Sequence, residues 1–180
     1  IYNDEIIATG YVSNANDDIF LIKFDRDGNL VKTFGSNGFA ISNIQNEKDA
    51  ASSLAIQKYG DIITGGFIGN TNNKRYLLTC FRSDGTIKTT FGNNGIVVTK
   101  FIDSANKNVY INRIAIQNDN KIVGVGDFNY FNEEGQYNDF SLARYNVDGS
   151  LDNTFSTGGI KINSIKVSEY DNLIIENAVF

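Results

Sequence analysis

Three stretches of the chain spell one word: DIFLIKFDRDGNLVKTFGSNGFAIS (Asp18–Ser42), RYLLTCFRSDGTIKTTFGNNGIVVT (Arg75–Thr99) and DFSLARYNVDGSLDNTFSTGGIKIN (Asp139–Asn163). Their Asp-Gly pairs stand at Asp27-Gly28, Asp84-Gly85 and Asp148-Gly149, at spacings of 57 and 64 residues. A fixed period of this order marks a repeat architecture, in which each copy is one supersecondary unit and neighbours bury each other's apolar faces. A second word lies between the copies, as SLAIQKYGDIITGGF (Ser53–Phe67) and RIAIQNDNKIVGVGDF (Arg113–Phe128). Half of it opens the chain as DEIIATGY (Asp4–Tyr11), and a diverged form closes it as IKVSEYDNLIIENAVF (Ile165–Phe180). The chain therefore divides into a partial repeat at 1–52, full repeats at 53–110 and 111–164, and a partial repeat at 165–180. The longer spacing comes from an enlarged loop at 129–139.

Each copy reads as short strands joined by tight turns. Runs such as Leu54-Ala55-Ile56-Gln57, Ile62-Ile63-Thr64 and Tyr76 to Phe81 are short, rich in β-branched and aromatic residues, and bounded by Gly, Asn and Asp, the pattern of strands rather than helices. Arg26-Asp27-Gly28 and its two counterparts suit three-residue hairpin loops with glycine at the position of positive φ. Asn37-Gly38, Asn94-Gly95 and Gly158-Gly159 supply a second hairpin turn per copy. Continuous apolar runs such as Ile19-Phe20-Leu21-Ile22 give each sheet two apolar faces, which must be covered on both sides. Stacking the sheets face to face does so. The fold class is all-β, a β-propeller-like array of antiparallel sheets with about three blades' worth of sequence, where a closed propeller has about four to eight. Small residues at Ala8-Thr9-Gly10, Thr64-Gly65-Gly66 and Gly124-Val125-Gly126 are expected to let neighbouring blades approach closely. Ile175-Glu176-Asn177 breaks that pattern.

Composition narrows the function classes. Among 180 residues, 41% are hydrophobic, the formal net charge is −5, and there is no His and a single Cys. Histidine-based triads, zinc sites and an internal disulfide are out of reach within the chain, and an acidic balance disfavours a phosphate-backbone binder. No apolar run is long enough to span a bilayer as a helix. With neither Met nor Pro, the chain reads as an excerpt of a longer one.

The combination of LAIQ or IAIQ, a short apolar strand ending in small residues, a strand ending in Arg144-Tyr145, then DGSLDNTF and a closing Gly-Gly resembles the delta-60 repeat family. The best copy runs from Ile114 to Gly159. The resemblance implies a propeller-like array in large bacterial, often surface-associated proteins, with no general activity attached. Asp152 of that copy is matched by Val31 and Lys88 in the others, a departure just after a turn.

Candidate sites are few. Asp25 and Asp27 sit in an Asp-x-Asp-Gly that resembles the start of a calcium loop; the other copies lack the first Asp, and turn chemistry alone accounts for Asp and Gly there. Tyr130, Phe131, Glu133, Glu134 and Tyr137 of the enlarged loop join aromatics to acids and are the candidates for partner binding, since loops on rigid scaffolds commonly carry recognition residues. The pairs Glu133-Glu134 and Asp17-Asp18 are read as solvated charge rather than acid–base machinery. Cys80, inside an apolar strand, is expected to be buried and unpaired. No catalytic residue or cofactor is assigned, and calcium is not expected to be needed for folding.

The sequence thus favours a non-enzymatic structural or protein-interaction module in an extracellular, cell-surface or particle-associated assembly. It would lie in a longer chain or associate with a second copy, bringing Leu173 and Ile174 beside Ile6 and Ile7. The rival reading is a lactonase-like propeller hydrolase with carboxylates and calcium at a central channel.

Overall fold

A computed structural model describes residues 4–13, 16–44, 47–71, 73–101, 107–132 and 135–163, with side chains at 131–137 left aside. Every element among them is a strand: β1 (Ile6–Val12), β2 (Asp18–Phe24), β3 (Phe39–Ser42), β4 (Asp49–Ile56), β5 (Ile62–Ile68), β6 (Arg75–Phe81), β7 (Ile96–Thr99), β8 (Lys107–Ile116), β9 (Ile122–Asn132), β10 (Gly135–Tyr145) and β11 (Ile160–Asn163). They form three antiparallel meanders, β1-β2-β3, β4-β5-β6-β7 and β8-β9-β10-β11. The sheets open at Asp49 and Lys107, a few residues ahead of the repeated LAIQ and IAIQ words.

The turns form as their residues dictate. Gly28, Gly85 and Gly149 have φ of 83°, 85° and 87°, and each closes a three-residue loop, as in the bonds from the Asp25 N–H to the Asn29 carbonyl (2.9 Å) and from the Gly28 N–H to the Asp25 carbonyl (3.1 Å). Asn37-Gly38 and Asn94-Gly95 both have positive φ at their two residues, the geometry of a two-residue type I′ hairpin.

The middle sheet explains the unbroken apolar runs. Successive side chains of a strand point to opposite faces, so Ile62, Leu77 and Phe81 join Ile19, Leu21 and Ala40 of the first sheet in one core. Ile63, Tyr76, Leu78 and Cys80 join Val109, Ile111, Ile122 and Tyr145 of the third sheet in the other. Cys80 is buried and free, and burial pushes its thiol pKa up to about 12.

The small residues have two different roles. A Cβ on Gly65 would lie 2.4 Å from Ile114 Cγ2 of the third sheet, the expected close approach between sheets. On Gly66 and Gly126, however, it would lie 1.9 Å from the carbonyl oxygens of Ala50 and Tyr110, within the same sheet. These oxygens belong to strands that bulge at Ala51/Ser53 and Ile111/Arg113. A β-bulge bends its strand, and the glycine opposite gives it room.

The segment at 129–139 is not a loop. Tyr130 pairs with Tyr137 and Asn132 with Gly135, so β9 and β10 run on past the ends of their counterparts β5 and β6. Cross-strand pairing continued by Asn, Tyr and Phe outweighs the loop-like composition, which had suggested an irregular insert.

Candidate functional site: an uncovered sheet face and a long hairpin

Register fixes what the first sheet shows on each side. Ile6 pairs with Phe24, Phe20 with Ile41, and Ile22 with Phe39, so these six side chains share one face. The opposite face carries Ile7, Ile19, Leu21 and Ala40 into the core against the second sheet. The first face has no described sheet over it: Ile41 is 58% exposed, Ile6 40% and Phe39 38%. The Phe20 and Phe39 rings lie 6.4 Å apart upon it. In the second sheet the counterparts are Leu77, Phe81, Ile96 and Val98, all packed in the core between sheets one and two.

A repeated backbone bond marks each junction between sheets. The Gly35 N–H donates to the Asp84 carbonyl (2.7 Å) and the Gly92 N–H to the Asp148 carbonyl (2.8 Å). The Asp-Gly turn of each following sheet thus rests on the Phe-Gly corner of the sheet before it. The contact leaves no room for a side chain: a Cβ on Gly85 would meet Gly35 N at 2.7 Å, and one on Gly149 the Phe91 ring at 2.8 Å.

In their buried polar groups the two junctions differ. Asp49, fully buried, accepts from the N–H groups of Ile19 (2.8 Å) and Ile44 (3.4 Å). Burial, with Asp18 and Asp17 nearby, pushes its pKa from 3.8 to about 7 despite those two donors. Its counterpart at the next junction is Val109. There the polar links are the Tyr76 hydroxyl with Ser141 Oγ (2.8 Å) and the Tyr145 hydroxyl with Thr99 Oγ1 (2.7 Å). Burial raises the pKa of both phenols well above their ordinary value.

Of the carboxylates singled out from the sequence, Asp25 caps its own turn. Asp25 Oδ1 accepts from the N–H groups of Asn29 (2.8 Å) and Asp27 (3.0 Å), and Asp25 Oδ2 from the Asn29 amide (3.2 Å). The Asn29 backbone bond, then its side chain, hold the Asp25 carboxyl below its usual range. Asp27 is exposed beside Arg26 (3.7 Å). Asp84 and Asp148 take over the capping role in the other copies, each held low first by the hydroxyl of Thr86 or Ser150 and then by the same residue's N–H. Asp17 forms an ion pair with Lys48 (3.0 Å), while Asp18 is buried. Among the described residues no three of His, Cys, Asp and Glu gather closely enough to hold a metal ion.

Of the hairpin candidates, Tyr130 is half-buried, its ring 5.9 Å from that of Phe128 and 5.5 Å from the Lys107 ammonium. Phe131 and Tyr137 lie on β9 and β10, paired with Gln136 and Tyr130. Glu133 and Glu134, as well as Leu173 and Ile174, lie outside the described residues.

Sequence reading placed Ile6 in an expected pairing with a second copy but missed Phe39 and Ile41, although aligning the copies would have exposed them, because their counterparts Ile96 and Val98 are the ones a neighbouring sheet covers. It also missed Asp49, whose signal is a lone carboxylate at a repeat position where the next copy has Val109.

Residues 117–155 match a sequence family described as a domain of unknown function (DUF5122) beta-propeller. The matched span covers β9, β10 and the Asp-Gly turn as far as Phe155. No curated protein matches the chain. Stacked antiparallel meanders of three and four strands together with this match make the architecture β-propeller-like.

Proposed function

We propose that the chain is a non-enzymatic structural or protein-interaction module of the delta-60 repeat kind, working within an extracellular or particle-associated assembly. The observation that carries this reading is the apolar face of the first sheet, with Ile6, Phe39 and Ile41 each more than a third exposed. Contiguous apolar patches on a soluble surface mark interaction sites. Two of the buried carboxylates support the same reading, since Asp49 bonds to backbone N–H groups and Asp152 to Thr154, Lys121 and Arg144. Both act as structural ties.

The test joins two measurements on the whole chain. Sedimentation velocity across a wide concentration range should show mass rising with concentration, and Ile41→Glu should remove the rise. Turnover of a lactone panel, with and without calcium, should be absent. Calcium-dependent turnover by a species of constant monomeric mass would overturn the proposal in favour of the hydrolase.

A further inference from the structure

Each junction within the molecule needs three parts: an apolar face, an Asp-Gly turn, and a Phe-Gly corner whose N–H meets that turn. Two junctions are complete. Among the described residues one set stays without a partner. The first sheet keeps its apolar face and its turn, for Gly28 is exposed with no atom within 4 Å of an added Cβ, whereas Gly85 and Gly149 are buried. The third sheet keeps its corner, Phe155–Ser156. Ser156 holds φ at 48°, beside 54° at Gly35 and 51° at Gly92, and the Gly159 N–H closes the corner on the Phe155 carbonyl (2.9 Å) as Gly38 and Gly95 close theirs on Phe34 and Phe91, so the corner repeats the other two; the Ser156 side chain is exposed.

We infer that the first sheet docks head to tail on the third sheet of a second copy of this chain, with the Ser156 N–H of that copy donating to the Asp27 carbonyl. This inference rests on the interaction-module reading and names its partner. The occupant follows from continuity with the two existing interfaces, where the same face and the same turn are covered by a sheet of the same repeat. A surface that accepts its own kind from one side only is heterologous, and such contacts close into rings when the rotation permits. Two copies, each with three sheets among the described residues, bring six such sheets together, within the roughly four to eight of closed propellers.

The experiment uses the full chain in two single variants, Asp27→Cys and Ser156→Cys, both at exposed positions, with a short bismaleimide as the probe. Cys80 stays silent because it is buried. Cross-linked dimer is expected only when the two variants are mixed, and Ile41→Glu in the Asp27→Cys chain should reduce its yield at least tenfold. Cross-linking of Asp27→Cys with itself would overturn the head-to-tail geometry. Association that Ile41→Glu abolishes, without any cross-link in the mixture, would also sink this inference while leaving the interaction module standing. Absence of any association would remove both.

Discussion

The second sheet is buried on both faces and the first on one, although the two are built from the same word. The difference lies in what stands next to them rather than in their composition. Phe20, Phe39 and Ile41 are no less apolar than Leu77, Ile96 and Val98; among the described residues only the latter have a sheet on top. A repeat therefore specifies its interface before it has a neighbour, and the same positions serve as core or as surface according to place in the array. The two junctions differ as well, the first sealed by a buried carboxylate and the second by phenol hydroxyls. That contrast can be broken experimentally.

The largest effect is expected at the bulges. Gly66→Ala should cost about 3 kcal/mol or more, because its Cβ would sit 1.9 Å from the Ala50 carbonyl oxygen and the bulged backbone would have to move. The counterpart Gly10→Ala, whose Cβ meets only the Phe20 ring at 3.6 Å, should change stability by less than about 1 kcal/mol. Chemical denaturation of both variants checks the pair, and equal losses would refute the assigned role of the bulge.

Next comes the first junction's dependence on pH. With a folded pKa near 7 against an ordinary 3.8, Asp49 stays protonated in the fold while it ionises in the unfolded chain. Its contribution is complete below about pH 4 and is lost as pH rises to about 7, a change on the order of a few kcal/mol. Denaturation midpoints for the parent and for Asp49→Asn should diverge in slope across that window. Hydrogen exchange should show β1 to β3 loosening before β8 to β11, because Val109 cannot titrate.

A smaller contrast separates two turns. Gly85→Ala combines positive φ with a contact of 2.7 Å to Gly35 N and should cost about 2–3 kcal/mol; Gly28→Ala has only the φ penalty, about 1–2 kcal/mol. If a second copy covers the first turn, Gly28→Ala will also weaken self-association. Smallest is Tyr76→Phe. It strips the bonds to Ser141 and should cost about 1–2 kcal/mol, measurable as a shift in thermal midpoint. The first junction has Ile19 in that place and no such bond to lose.

Much of this architecture was legible in the residues. Asp-Gly and Asn-Gly place positive φ at fixed points, and the chain between them has few ways to run except as antiparallel strands. The sheet count and the buried Cys80 followed from the same reasoning. Asn, Gly, Glu and Gln at 129–139 suggested an irregular insert, because composition reports the preference of single residues and not the pairing that Tyr130 finds in Tyr137. The glycines at 66 and 126 read as contacts between sheets, since nothing local to the sequence announces a bulge on the strand opposite. The candidate site was legible only in part: a sequence shows that a sheet has two apolar faces but not which of them stays uncovered.

A single thiol in the seam between the second and third sheets has a kinetic consequence. Cys80 is fully buried and its thiol barely ionises, so a thiol reagent must wait for the seam to part. With one Cys in the chain, the labelling time course is a clock for that opening alone. When reclosing outpaces reaction, its rate gives the free energy of opening; when reagent is abundant enough, it gives the opening rate itself. The array carries a built-in gauge of how tightly one blade holds the next.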